Sequence, residues 1–263
     1  MSDFPNRSNN QKLDINGVYA SVRNAQGHPR LNAFCSRYAL FDDGENVELD
    51  VVIEAKQTGL HCTWFSVSNG PLHFYIDVDK FVKQQFSYPA AKQGAFNQAL
   101  GKKTKTILDA TGGWGSDALL MCTQGFTVTL LERNPIMAIL LDDAMLRLAS
   151  TSWAIDNQVI SPEVFNIDAI EFLNNNEIIF DCVYLDPMYP PKRKKTAAVN
   201  KNIQFLQWLV GEDLDANKLA KNALSTNCSR VVVKRPSNAQ PLLSEISVKF
   251  SSKLVNYDVY LKS

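Results

Sequence analysis

Asp186-Pro187-Met188-Tyr189-Pro190 follows directly on the apolar run Phe180-Asp181-Cys182-Val183-Tyr184-Leu185. A carboxylate, a proline, one spacer and an aromatic thus stand where a buried strand ends. These groups suit a conjugated amine on a planar base, whose lone pair is delocalised into the ring and is therefore a poor nucleophile. A carboxylate and a neighbouring backbone carbonyl accept the amine hydrogens and favour sp3 character at nitrogen as an electrophilic carbon arrives. An aromatic can stack on the ring and hold it in line. Asp186, Pro187 and Tyr189 are accordingly candidate catalytic residues for methylation of an exocyclic amine. The same pentapeptide also fits an ordinary Asp-Pro turn, so its meaning rests on what the rest of the chain supplies.

A second set of residues describes a nucleotide-type site. Asp109-Ala110-Thr111-Gly112-Gly113-Trp114-Gly115 lies between a short apolar run and a helical one. Gly112, Gly113 and Gly115 let the backbone turn sharply and approach a ligand closely. Glu132 ends the next apolar run, where an acid can accept both ribose hydroxyls. Asp168 ends the third, where a carboxylate can accept an adenine amino group. A ribose acid also suits NAD, but the helix opens with Ser116-Asp117, and a carboxylate there would repel a pyrophosphate. It would attract the ammonium or sulfonium of S-adenosylmethionine, which the pattern favours as cofactor. Each residue has a plainer reading as well. The glycines could make a tight turn, Glu132 could be a solvated strand-end acid, Asp168 could cap a helix starting at Ala169, and Asp117 could complement a helix dipole.

The elements that would carry these residues can be read from the apolar periodicity. Residues 1–12 read as a polar, Asn-rich tail, and residues 13–79 as a small, mainly β region. Its short apolar groups include Tyr38–Phe41, Val51–Ile53, Thr63–Val67 and Leu72–Ile76, separated by turn formers. Residues 80–104 read as a helical linker interrupted near Tyr88-Pro89. From 105 to 263 the rhythm becomes strand, helix, strand. Strands are predicted at Thr106–Asp109, Thr127–Leu131, Val164–Ile167, Ile179–Leu185 and Ser229–Lys234. Helices are predicted at Ser116–Gln124, from Pro135 behind an Asn134 cap, near Ile203–Leu209 and at Lys218–Leu224. Val248–Phe250 and Tyr257–Tyr260 would close the sheet as a hairpin. The expectation is an α/β fold, a mostly parallel Rossmann-like sheet with helices on both faces, plus the small β region.

Composition narrows the partners. Lys+Arg and Asp+Glu both number 27, so no global field points to a nucleic acid and any such partner needs a local patch. Lys192-Arg193-Lys194-Lys195 supplies one immediately after the reactive loop, although a solvated loop reads the same way. Lys234 and Arg235 could extend that patch from a strand end, or serve solubility alone. The five cysteines are scattered, with no CxxC pair and no histidine at ligand spacing. They imply a reducing cytoplasm and no metal. No signal peptide or membrane span is expected.

Taken in order, Leu108–Ala118, Leu131-Glu132-Arg133-Asn134-Pro135, Tyr184–Pro190 and Val231-Val232-Val233-Lys234-Arg235-Pro236 resemble the ribosomal RNA small subunit methyltransferase J family over roughly residues 72–260. The resemblance implies a class I S-adenosylmethionine-dependent enzyme that methylates the N2 amine of a guanosine in 16S rRNA, free or within the small subunit. It implies that Ser116, Asp117, Glu132, Arg133, Asp168, Ala169 and Asp186 line the cofactor site. Two departures stand out. Asp168-Ala169 replaces a pair of small hydroxyl residues, and Phe86–Gln93 lacks the basic, glycine-rich character usual there. The alternatives are an amine methyltransferase acting on adenine in DNA or on a protein glutamine amide, a dinucleotide oxidoreductase, and a non-catalytic RNA-binding protein. No dimer surface is legible.

Overall fold

The computed structural model describes residues 13–15, 18–23, 28–38, 50–66, 70–87, 94–175, 179–189, 200–211 and 213–262. They divide after Tyr75 into two compact units.

The first unit is a five-stranded sheet in the order β1 (Leu13–Ile15), β2 (Val18–Arg23), β3 (Val51–Lys56), β4 (Gly59–Ser66) and β5 (Gly70–Tyr75). Only the β2–β3 pair is parallel. β4 alternates as a half-buried strand should: Leu60, Cys62 and Trp64 face the core while Phe65 faces out. The mainly β region also holds one helix, α1 (Pro29–Tyr38), where none was predicted. Its first turn is held by His28, whose Nδ1 accepts the Leu31 amide at 3.2 Å, and it buries Leu31 and Phe34. The apolar group at Tyr38–Phe41 therefore begins at the end of a helix, and its other residues lie outside the described ones.

The second unit opens with α2 (Val78–Ser87) and α3 (Ala95–Leu100), the two halves of the expected interrupted helix. Next come β6 (Thr106–Asp109), α4 (Ser116–Thr123), β7 (Thr127–Leu131), α5 (Pro135–Ala149), α6 (Ser152–Asp156), β8 (Glu163–Phe165) and α7 (Ala169–Asn175). The unit ends with β9 (Cys182–Leu185), α8 (Lys201–Val210), α9 (Ala216–Ser225), β10 (Arg230–Pro236), β11 (Val248–Ser251) and β12 (Val255–Leu261). The sheet order is β11-β12-β10-β9-β6-β7-β8. The five strands from β10 to β8 are parallel, and the β11–β12 hairpin adds antiparallel to β10.

Alternate residues of these strands are buried on opposite faces. Leu108, Leu131, Val183 and Val231 pack on one side with Phe172 of α7 and with Leu219 and Ala223 of α9. On the other side Leu130 approaches Leu141 and Met145 of α5 beside Gly115, and Tyr184 meets Phe96 of α3 edge-on at 5.9 Å. Each fully buried aliphatic side chain stabilises by about 1.5–3 kcal/mol. That requirement is why the central strands read as unbroken apolar runs. β6 lies between β7 and β9, so the chain reverses its direction of winding there. A crevice opens at the carboxyl ends of β6 and β9, the usual ligand position in such sheets.

Several strand limits differ from expectation, two of them for a plain local reason. β9 begins only at Cys182, because the Asp181 carboxylate takes the amides of Lys105 and Thr106 at 2.8 and 3.0 Å. β8 ends at Phe165, because the Asn166 side-chain amide donates to the Glu132 and Arg133 carbonyls in place of the ladder. β10 runs on through Pro236, which puts Lys234 and Arg235 inside the strand. α6 was not foreseen; Thr151 caps it, accepting the Ala154 amide at 3.1 Å. No helix among the described residues is long and apolar enough to cross a membrane.

Candidate active site

The loop after β6 is shaped by its glycines. Gly112 donates its amide to the Leu131 carbonyl at 2.9 Å, pressing the loop onto β7. A Cβ on Gly112 would sit 2.6 Å from Leu130 Cδ2 and 3.0 Å from the Leu131 carbonyl oxygen, so a larger residue would force Leu130 and the pinned loop to shift. Gly115 adopts φ 71° as it caps α4, a conformation L residues rarely take. Trp114 leans toward α8, donating from Nε1 to the Asn202 carbonyl at 3.1 Å and packing on Phe205.

Glu132 leaves β7 beneath this loop and is almost fully buried. Its Oε2 accepts the Gly113 amide at 2.9 Å and its Oε1 the Asn134 amide at 2.7 Å. Burial pushes its carboxyl up to about 7 against the pull of those two donors. Asp168 stands three residues past β8 instead of ending it. Its Oδ1 accepts the Ile170 and Glu171 amides at 2.9 and 3.1 Å, so it caps α7. An open-sided cleft runs from Gly112, Gly113 and Glu132 past Asp168 and Ala169 to Asp186. Leu206 and Val210 of α8 and Leu219 of α9 form its opposite wall. The lining, glycine backbone and carboxylates facing apolar side chains, suits a nucleoside.

Asp186 emerges from β9 at the mouth of this cleft. Its amide donates to Thr111 Oγ1 at 2.7 Å, tying the reactive loop to the glycine loop. Its Oδ2 takes Lys234 Nζ at 2.9 Å, and the same ammonium reaches Asp117 Oδ2 at 2.7 Å. Asp117 also accepts the Tyr184 hydroxyl at 2.6 Å. Asp109, only 2% exposed, lies behind them with its Oδ1 on the Thr111 amide. One ammonium thus sits among three carboxylates. Burial pushes Asp109 up to about 7, reinforced by Asp117. Enclosure pushes Asp186 up to about 6, with Lys234 opposing and Asp117 assisting. For Lys234 burial works against the charge, but Asp186 and Asp117 outweigh it and hold the amine well above its ordinary pKa.

The structure therefore brings Gly112, Gly113, Glu132, Arg133, Asp168, Ala169 and Asp186 to one cleft. Asp109, Gly115, Ser116 and Asp117 stand outside its lining. Pro187 is buried, and the Tyr189 hydroxyl is buried with no hydrogen-bond partner among the described residues. Lys192, Arg193, Lys194 and Lys195 lie outside the described residues. The expectation that Lys234 and Arg235 extend a surface patch is corrected by their position. Lys234 points inward to Asp117 and Asp186. Arg235 is 6% exposed, its guanidinium held by Asp258 and the Ala239 carbonyl. Arg133 pairs with Asp213 and Asp215.

Two participants were not anticipated. Thr111 bridges the two loops, and Asp213 accepts the Met188 amide at 2.6 Å while pairing with Arg133. Charged residues inside the apolar strand 230–236 were the available signal for the inward cluster, since buried charges need partners. The Asp213-x-Asp215 pair after Gly211 was the signal for the other. Among the described residues no group of three His, Cys, Asp or Glu is placed to hold a metal ion.

A strongly acidic crevice with a ribose-type acid and a glycine loop suits a cationic nucleoside. Residues 34–262 match the family described as "Putative SAM-dependent methyltransferase". The ribosomal RNA small subunit methyltransferase J of Hydrogenovibrio crunogenus is 42% identical over 201 residues, 74% of this chain and 72% of that protein. The protein of the same name from Shewanella sp. strain W3-18-1 is 34% identical over 242 residues, 90% and 92% of the two chains. The crystal structure of a SAM-dependent methyltransferase from Neisseria gonorrhoeae shares the fold, with a TM-score of 0.69 and 24% identity over 92% of this chain and 95% of that one. Cleft, sheet order and sequence agree: this chain belongs to the ribosomal RNA small subunit methyltransferase J family of S-adenosylmethionine-dependent methyltransferases.

Proposed function

We propose that this protein transfers the methyl group of S-adenosylmethionine to the exocyclic N2 amine of a guanosine in 16S rRNA of the small ribosomal subunit, in the cytoplasm. The observation that carries this reading is the Asp186 loop, which brings a carboxylate to the mouth of a cleft otherwise lined with nucleoside-binding groups. We assign the transfer chemistry to residues 105–263, with 80–104 as linker and 13–79 as an accessory region.

Glu132 would take the ribose hydroxyls, since each of its oxygens bears one backbone donor and keeps a lone pair. Asp168 and Ala169 would meet the adenine, and Gly112 and Gly113 the methionine portion. Arg133 would flank the ribose from its place beside Asp213. Asp117 stands behind the lining as negative charge that favours a cation, with the buried Asp109 carboxyl beside it. When bound, the cofactor supplies an electrophilic methyl on a sulfonium. The chain's own work is to place the amine in line with it. Asp186 accepts one amine hydrogen and the Pro187 carbonyl the other, while the Tyr189 ring packs against the base. The amine becomes acidic only as it is methylated, so Asp186 guides the departing proton toward solvent and no strong base is needed. A stacked guanine must first be exposed, so flipping or an already open substrate is required. Lys192–Lys195 would grip phosphates beside the loop.

The test is transfer of labelled methyl to small subunits lacking N2-methylguanosine, with the product nucleoside identified. N2-methylguanosine at one 16S position, lost in Asp186→Ala with cofactor affinity retained, is the expected result. Label appearing instead in DNA or in a protein amide would overturn the substrate, and near-normal turnover of the variant would overturn the role of Asp186.

A further inference from the structure

Among the described residues, the ammonium of Lys234 is the one positive charge in the cluster behind the cleft. It leaves β10 between α4 and the reactive loop, touching Asp117 at 2.7 Å and Asp186 at 2.9 Å. Among the described residues, the groups facing Asp186 are Lys234 from β10, Asp117 from α4, Asp109 from β6, Tyr184 from β9, Tyr257 from β12, and Asp213 from the loop before α9. Apart from Lys234, these are acids or phenols. Each of the other carboxylates disfavours a charge on Asp186, and enclosure disfavours it further.

A protonated Asp186 is the wrong group for this chemistry. Its O–H would donate to the substrate, whereas the amine needs an acceptor for its hydrogens. Lys234 meets Asp186 through Oδ2, which leaves Oδ1 as the oxygen turned to the amine in this reading. The lysine is itself anchored by Asp117, which is fixed in turn by the Tyr184 hydroxyl. The carboxylate is therefore gripped from a preformed support.

We propose that Lys234 is the positioning residue of the methyl-transfer centre, its ammonium holding Asp186 ionised and oriented so that Oδ1 accepts the substrate amine. This rests on the reading of Asp186 given above. In the transfer, the carbon–sulfur bond breaks with its electron pair going to sulfur and the nitrogen–carbon bond forms from the amine lone pair. The surplus amine proton leaves along Oδ1 to water. Lys234 keeps its own proton throughout and stays out of contact with substrate.

The experiment compares wild type with Lys234→Met and Lys234→Arg, using two readouts. The first is carbon-13 NMR titration of the Asp186 carboxyl, assigned from Asp186→Asn, on the protein alone. Loss of the cation should raise the Asp186 pKa by about one unit or more, and arginine should restore most of it. The second is single-turnover methyl transfer to small subunits as a function of pH. In Lys234→Met the acid limb should move up with that pKa, giving about a threefold loss or more at pH 6.5 that shrinks by pH 9. A purely structural lysine would lower transfer equally at every pH, which would overturn the proposal, as would an unmoved carboxyl titration. Should Lys234→Met fail to fold, Asp117→Asn tests the same balance from the other side. It retains an acceptor for Lys234 and Tyr184 while removing a negative charge, so the Asp186 titration must move down. An unchanged or raised value would refute the proposal. Absence of any transfer to small subunits by wild type would defeat the functional reading, while the titration still judges Lys234.

Discussion

The Arg235–Asp258 pair is the place where a surface role and a structural role differ most in their consequences. Arg235 faces Asn256 across the β10–β12 ladder, so Asp258 is its diagonal neighbour on the same sheet face. The guanidinium meets the carboxylate through Nε at 2.5 Å and Nη2 at 3.1 Å and donates Nη1 to the Ala239 carbonyl. The side chains are 6% and 0% exposed. Arg235→Met removes the cation and strands a carboxylate that water cannot reach. Breaking a buried pair in this way costs about 3–5 kcal/mol, against a total stability of about 5–15 kcal/mol. At about 2–4 °C per kcal/mol for a unit of this size, melting should fall by roughly 6–20 °C. The double variant Arg235→Met/Asp258→Leu removes both charges together and should regain most of that loss. Differential scanning calorimetry of wild type, both singles and the double reads the cycle directly. A single variant melting within about 2 °C of wild type, or a double at the sum of the singles, would refute the pairing argument. Weakened RNA binding at unchanged melting temperature would restore the surface reading.

Gly112→Ala should abolish measurable S-adenosylmethionine binding in calorimetry, because its methyl meets the Leu131 carbonyl at 3.0 Å and the backbone there is pinned to β7. Stability of the protein without cofactor should fall from pH 5 to pH 8. Burial raises the Asp109 pKa from its ordinary 3.8 to about 7, so its contribution is complete below the unfolded value and disappears as pH rises through about 7. Asp109→Asn keeps an acceptor for the Thr111 amide, and its thermal melts should show a flatter pH dependence.

Much of the second unit was legible because its signals are local. Asn134 accepts the Ile136 and Met137 amides ahead of Pro135, and Gly125 takes φ 89° after α4, both as their residue types require. α1 was not, because a histidine caps it and just two of its apolar residues are buried among polar ones. In the site, Glu132 and Asp186 could be read from their places at strand ends. What the acids bond to could not. Asp168 spends Oδ1 on a helix cap, Asp117 faces Lys234, and Asp213 reaches Met188 from 25 positions away. Such partners depend on which strands lie side by side, and the sheet inserts β9 and β10 beside β6 only after β7 and β8 have been laid down on its other flank.

That strand order also sets a schedule for the growing chain. The glycine loop and Glu132 can form once β6 and β7 pair, but Asp117 waits for Lys234, 117 residues later. Until β10 docks against β9, three carboxylates have no ammonium among them, and their mutual repulsion works against closing the crevice. Contacts of such long sequence separation are slow to form because the loop entropy is lost before they reward it. The half-made polypeptide thus carries a crevice that is electrostatically unfinished, and competence for the cofactor arrives with β10, the strand that brings Lys234 into place.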